Sequence, residues 1–189
     1  MKIAFVIYDG ITLLDFAGVF DPLTRLKTMG FLDTLQWDLC ARTSAVRSTE
    51  GVVLTPDRVD KNLAEYDFVI VPGGDGIKGL MQDKAFLRWI SVASDTTTVA
   101  ALCGGSLLLG AAGMLRTKRA TTHPALAVFL KNFACEVVPD RIVDEGNVIT
   151  AGGVTAGIDL GLYLCGKIAG EEVREKIQQQ MDYRNYTVR

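Results

Sequence analysis

Cys103 stands where an apolar run, Thr97–Leu102, meets Gly104-Gly105 and a second apolar stretch to Ala112. A strand that turns at once into a helix tolerates only small flanking residues, and Ala101 and Gly105 supply them. This is the pattern of a nucleophile elbow, with cysteine in the nucleophile's place. Unpaired N–H groups at the start of the following helix favour thiolate. The sequence therefore predicts a lowered thiol pKa and strong nucleophilicity at neutral pH. The plainer role for a free cysteine is a buried structural thiol.

Three further groups could serve such a thiol. Asp15 lies among Leu13, Leu14, Phe16 and Ala17, in a segment read as the loop after a first strand, ahead of a helix beginning near Val19–Asp21. Apolar surroundings raise a carboxyl pKa and suit it to donate and accept protons near neutrality. Its plainer role is a helix cap or loop anchor. Gly73-Gly74, after the run Phe68–Val71 and Pro72, offers two unobstructed N–H groups to negative charge developing on a substrate, and Gly104 is grouped with them. A simple turn after a strand would use the same residues. His123, followed by Pro124, could cap a helix start or could orient or ionise the cysteine.

The remaining polar and thiol residues read as structural. Lys118 and Arg119 are expected as solvated charges, Thr155 as the cap of a helix over Ala156–Ala169, and Asp159 as a complement to that helix's dipole. Cys40 falls within a strand, and Cys165 continues the stripe of small residues Gly157 and Gly161 at helical spacing, which suits close helix packing. The four cysteines are far apart, with no CxxC, and the chain has one histidine. A tetrahedral zinc site is hard to assemble from that set, so neither metal nor other cofactor is expected, and the thiols are expected to be reduced.

These residues need a scaffold that brings loops together. Strand-like runs at Ile3–Tyr8, Leu35–Ala41, Phe68–Val71, Thr97–Leu102, Glu136–Val138, Arg141–Val143 and Val148–Thr150 alternate with helical stretches. A small hairpin between Val52–Leu54 and the residues near Val46 is also predicted. The helical stretches reach to Met29, follow Pro72-Gly73-Gly74 with Trp89 and Ile90 inward, begin again at Pro124, and cover Thr155–Tyr183. Such alternation predicts an α/β fold, a mostly parallel sheet with helices on both faces and a site beyond the strands' carboxyl ends. One domain over residues 1–184 with a loose tail at 185–189 is expected.

The composition excludes several classes of protein. The net charge of −2 gives no electrostatic basis for binding nucleic acid or an anionic membrane. The apolar runs are too short to span a bilayer. The apolar start meets a turn signal at Asp9-Gly10, which reads as a core strand and not as a secretory leader. A cytoplasmic protein acting on a small molecule is the expectation.

Taken together, Leu14-Asp15-Phe16-Ala17-Gly18, Val71-Pro72-Gly73-Gly74, Cys103 to Gly113, Arg119 to His123 and Gly152 to Asp159 resemble the DJ-1/PfpI superfamily across nearly the whole chain. Within it the sequence looks most like the isonitrile hydratase-like members and the similar ligand domains fused to AraC-type regulators. The resemblance implies a flavodoxin-like three-layer sandwich, a homodimer, and Cys103 as nucleophile. It matches Asp15 to the nearby acidic residue, Gly73 and Gly74 to the N–H cradle, and His123 to the histidine near the cysteine. The activity implied is addition of water to an isonitrile, giving an N-substituted formamide. Glyoxalase or deglycase chemistry, or a redox or ligand sensor working through Cys103 oxidation, are the alternatives. A DNA-binding regulator is not expected, since no helix-turn-helix segment follows and no basic patch stands out. Two positions depart from the hydratase-like pattern: Gly104 stands where threonine is usual, and Gly18 is followed by Val19, with proline displaced to Pro22.

Overall fold

The computed structural model describes residues 1–92, 97–133 and 135–184, so the expected tail at 185–189 lies outside the described residues. In chain order, β1 (Lys2–Val6), α1 (Leu13–Thr28) and β2 (Gln36–Ala41) come first. Three short strands, β3 (Val46–Arg47), β4 (Val53–Leu54) and β5 (Arg58–Val59), precede β6 (Phe68–Val71). Then follow α2 (Ile77–Leu80), α3 (Lys84–Ile90), β7 (Thr98–Leu102) and α4 (Gly105–Ala111). The last part holds β8 (Arg119–Ala120), α5 (Ala127–Leu130), β9 (Glu136–Val137), β10 (Ile142–Asp144), β11 (Val148–Ala151), α6 (Ala156–Ala169) and α7 (Glu171–Gln180).

Seven strands make the main sheet, in the order β10-β11-β7-β6-β1-β2-β5. All neighbours are parallel except β10 and β11. The predicted hairpin is present, with Val46 opposite Leu54. Strands β6 and β11 are buried at every residue, as continuous apolar runs are when helices cover both faces. Because β1, β6 and β7 are adjacent and parallel, their carboxyl ends lie side by side. The start of α1 with Asp15 and the turns bearing Gly73 and Cys103 are thereby gathered beyond the carboxyl ends of these central strands.

Helix α1 begins at Leu13, well before Val19, so Asp15 lies in the first helical turn and not in a loop. Phe16, Val19, Leu23 and Leu26 repeat at helical spacing and are all buried, which draws the helix forward to this point. Pro22 removes a hydrogen bond from the middle of α1 but is accommodated by its fit to α6. A methyl group built on Gly161 would meet the Pro22 ring at 2.9 Å, and one on Gly18 would meet the backbone of Ile158 at 3.3 Å. Cys165 Sγ donates to Pro22 O at 3.3 Å, so the small stripe of α6 faces α1.

Other elements are shorter than the sequence suggests. The helical stretch after β6 is two helices, and Asp83 caps the second by accepting from the N–H groups of Ala85 and Phe86. Ile90 is buried there, while Trp89 is half-buried with its indole N–H on Lys61 O. The helix predicted from Pro124 is a 3-10 turn, the single turn of α5 and another 3-10 turn. Thr155 precedes α6 but makes no capping bond, because its hydroxyl accepts from the Arg141 guanidinium instead. Asp159, in the first turn of α6, is buried and ion-paired with Arg141. No helix among the described residues is long and apolar enough to cross a membrane.

Candidate active site

The backbone of Cys103 is in the left-handed region, φ +53°, where side chains other than glycine are strained. Neighbouring segments hold it there. Its N–H donates to Ala151 O at 3.1 Å and to Gly152 O at 2.9 Å, at the end of β11. Its carbonyl accepts from Thr122 Oγ1 at 2.6 Å. A methyl group on Gly105 would lie 2.1 Å from Val71 O, so no larger residue fits where α4 leaves the sheet. At Gly104 it would lie 2.6 Å from Ile77 Cδ1, so a threonine there requires Ile77 to move.

Asp15 reaches the same point from α1. Its side chain is fully buried, and Oδ2 accepts from Gly73 N–H at 3.1 Å. Oδ1 is buried with no hydrogen bond of acceptable geometry. A methyl group on Gly73 would sit 2.7 Å from Asp15 Oδ2, 3.0 Å from Cys103 Cβ and 2.5 Å from Gly104 N. Gly73 is therefore where the three segments converge, and its missing side chain is what lets thiol and carboxyl share one space.

Burial pushes the Asp15 carboxyl up to about 6, against the pull of the Cys103 thiol, Gly73 N–H and His123, with Glu50 adding to the rise. Burial and the Asp15 charge push the Cys103 thiol up to about 11, although the N–H groups of Gly104 and Val154 draw it down. The expected lowering of the thiol is thus overturned. The N–H groups favour thiolate as predicted, but desolvation and a neighbouring carboxylate outweigh them. Across the neutral range the pair therefore holds one proton, on the Cys103 thiol, with the Asp15 carboxyl ionised beside it.

The other expected participants are placed differently. Gly74, φ +142°, packs against the segment after β1, where a methyl group would meet Gly10 O at 2.2 Å. Gly73 N–H is engaged by Asp15, so the cradle around the sulfur consists of Gly104 N–H and Val154 N–H. His123 Nδ1 accepts from Ala125 N–H at 3.2 Å, the capping role, and its ring lies over Gly153. Its proximity to Asp15 draws that carboxyl's pKa down. A cleft of about 680 Å³ opens beside the elbow, lined by Thr122, His123, Arg141, Gly153 and Val154 among others. Cys103 is half-buried and does not itself line the cleft; its backbone is bonded to two residues that do, Thr122 and Gly152. Among the described residues no group of three or more His, Cys, Asp or Glu is placed to hold a metal.

Sequence reasoning missed Thr122, Val154, Ile77 and Tyr8. Val154 contributes a backbone N–H, which no residue type reveals. Thr122 carried a signal in its position beside His123, and Tyr8 in ending the first apolar strand run.

Comparison with known proteins gives the family and the fold. The DJ-1/PfpI family model matches residues 1–166. The isonitrile hydratase of Pseudomonas putida is 37% identical over 97% of this chain and 78% of that protein. The HTH-type transcriptional regulator GbdR of Pseudomonas aeruginosa is 28% identical over 96% of this chain, which spans 50% of the regulator. A THiJ/PfpI family protein from Pseudomonas syringae superposes with a TM-score of 0.87 at 28% identity, over 96% of this chain and 74% of that one. Schizosaccharomyces pombe DJ-1, at 20% identity over 97% of this chain and all of its own, shares the fold with a TM-score of 0.83. The chain belongs to the DJ-1/PfpI family.

Proposed function

We propose that this protein is a cysteine-dependent, isonitrile hydratase-like enzyme in which Cys103 is the nucleophile and Asp15 manages the protons. The observation that carries the reading is the convergence of a strained elbow cysteine and a buried carboxyl at Gly73. With the pair's one proton moved from the Cys103 sulfur to the Asp15 carboxylate, the thiolate attacks the terminal carbon of R–N≡C. The carbon takes the proton from the carboxyl, leaving a thioimidate, R–N=CH–S–Cys103. Asp15, now ionised, accepts a proton from water as the oxygen adds to that carbon, then passes it to nitrogen. The C–S bond breaks with its electrons returning to sulfur, and the hydroxyl proton returns to Asp15. The released product is R–NH–CHO, so one water and one isonitrile are consumed and the pair ends as it began. Gly104 N–H and Val154 N–H hold the sulfur while it carries charge.

A homodimer is part of the proposal, supported by the family resemblance. Leu14 at the start of α1 and Val52 and Val53 at the hairpin are exposed apolar side chains on adjoining segments, tied together by Leu13 N–H on the Glu50 carboxylate. Light scattering should report about twice the 20.5 kDa chain mass.

Product analysis after separate incubation with an alkyl isonitrile and with methylglyoxal tests the reaction. The expected product is the N-alkylformamide. Conversion of methylglyoxal alone favours DJ-1-type carbonyl chemistry. Oxidation of Cys103 to sulfinate with neither substrate consumed favours a sensor.

A further inference from the structure

Tyr8 follows β1 and is almost entirely buried, at 5% exposure. Its ring packs edge-on against Phe86, centroids 5.9 Å apart, which fixes where the hydroxyl points. That hydroxyl donates to Pro72 O at 2.6 Å. Pro72 C=O and Gly73 N–H are the two ends of one peptide unit, and Gly73 N–H donates to Asp15 Oδ2 at 3.1 Å. The chain of contacts is therefore continuous, from tyrosine hydroxyl through one conjugated peptide to the carboxyl. Donation into a peptide carbonyl increases C–N double-bond character and makes the same peptide's N–H a stronger donor.

We propose that Tyr8 is a positioning residue for the Asp15–Cys103 pair: its hydroxyl polarises the Pro72–Gly73 peptide and so sets how firmly Gly73 N–H holds the Asp15 carboxylate. A hydroxyl that merely satisfied a buried carbonyl would leave Asp15 unaffected. Four titratable groups bear on Asp15: Cys103 from the elbow, His123 from the turn before Pro124, Glu50 from the β3–β4 turn, and Tyr8 itself. Tyr8 in turn is raised by burial and then by the charges of Asp15 and Cys103, as its proximity to both requires. Since its hydroxyl keeps its proton at neutral pH, its influence on Asp15 is the relayed hydrogen bond and not a charge.

The inference rests on the pairing of Asp15 with Cys103, and its test needs no turnover. The readout is the pH at which the Asp15 carboxyl ionises, followed by its infrared C=O stretch and assigned by the band's loss in Asp15→Asn. Tyr8→Phe keeps the ring and removes the donor, so Asp15 should ionise about half a pH unit higher, the effect of weakening one charge-assisted bond by a fraction. Replacing Tyr8 by 3-fluorotyrosine strengthens the donor without altering the packing, and Asp15 should then ionise lower. In Asp15→Asn, Tyr8→Phe should leave the pH profile of Cys103 alkylation unchanged. If Asp15 ionises at the wild-type pH in both Tyr8 variants, the relay is wrong. Should Tyr8→Phe fail to fold, the fluorotyrosine shift decides alone. Absence of formamide together with shifted Asp15 ionisation would defeat the proposed reaction and leave the relay standing; formamide with unmoved Asp15 would do the reverse.

Discussion

Cys40 and Cys103 both have a carboxyl group and a tyrosine close by, and both thiols are pushed up to about 11, chiefly by burial. At Cys40 the tyrosine stands between the other two groups. Tyr66 OH donates to Asp38 Oδ2 at 2.7 Å and accepts from the thiol at 3.5 Å, and Arg58 pairs with Asp38 at 3.4 Å. At Cys103 the tyrosine acts from behind a peptide, and the carboxyl couples directly to the sulfur. Cys40 has an extended backbone within β2 and no exposure; Cys103 has a left-handed backbone, two N–H groups on its sulfur and partial access. On the proposed reading, the difference is that the Cys103 proton has an adjacent acceptor and its anion has donors waiting, so a raised thiol there can still react.

The largest contrast is in turnover. Cys103→Ala should abolish formamide production. Cys40→Ala should keep it within about twofold and lower stability by about 1–2 kcal/mol, the usual scale for trimming a buried side chain. Activity and denaturant melts on the two variants check this, and loss of turnover in Cys40→Ala with the fold intact would erase the distinction.

Asp15→Asn comes next, slowing turnover by about two to four orders of magnitude. The same change should stabilise the fold above pH 6. The folded carboxyl is raised to about 6, so the folded state binds the proton more tightly than the unfolded chain does. Its contribution to stability is full below about pH 4, where the unfolded carboxyl also holds its proton, and is lost as pH rises through 6. Asp15→Asn escapes that loss, and should exceed wild type by up to about 2 kcal/mol at pH 7.5 while converging on it near pH 4. A pH series of urea melts shows whether it does.

A smaller effect should appear in labelling. Iodoacetamide at pH 8 should modify Cys103 about tenfold faster than Cys40, because access and the waiting N–H groups differ while the thiols are similarly raised. Asp15→Asn should speed Cys103 further, since the carboxylate opposes thiolate, and should leave Cys40 unchanged. Peptide mapping over time distinguishes these rates.

Much of the fold was legible because its signals are local. The run Phe68–Val71 is a strand with the bounds its apolar residues suggest, and the hairpin at Val46 and Val53 formed as read. The elbow was legible too, from Ala101, Cys103 and Gly105 alone. What was not legible depends on partners distant in sequence. Gly18 and Pro22 are weak helix formers by themselves, and the Gly157 and Gly161 that receive them lie far along the chain, so the start of α1 at Leu13 is not written locally. The thiol's rise was hidden for the same reason, since a helix start is written beside Cys103 but its burial and its carboxylate are not. Tyr8 acts on Asp15 through Pro72, and no spacing within the sequence encodes that link.

Covalent capture tests the assignment of Cys103 most directly. Acid-quenched digests taken during incubation with an alkyl isonitrile should show the Cys103 peptide heavier by one isonitrile, with Cys40, Cys135 and Cys165 unmodified. The adduct should persist longer in Asp15→Asn, where water addition lacks its base, and should be absent in Cys103→Ala. Formamide production by Cys103→Ala at the wild-type rate, with no adduct on any cysteine, would contradict the nucleophile assignment outright.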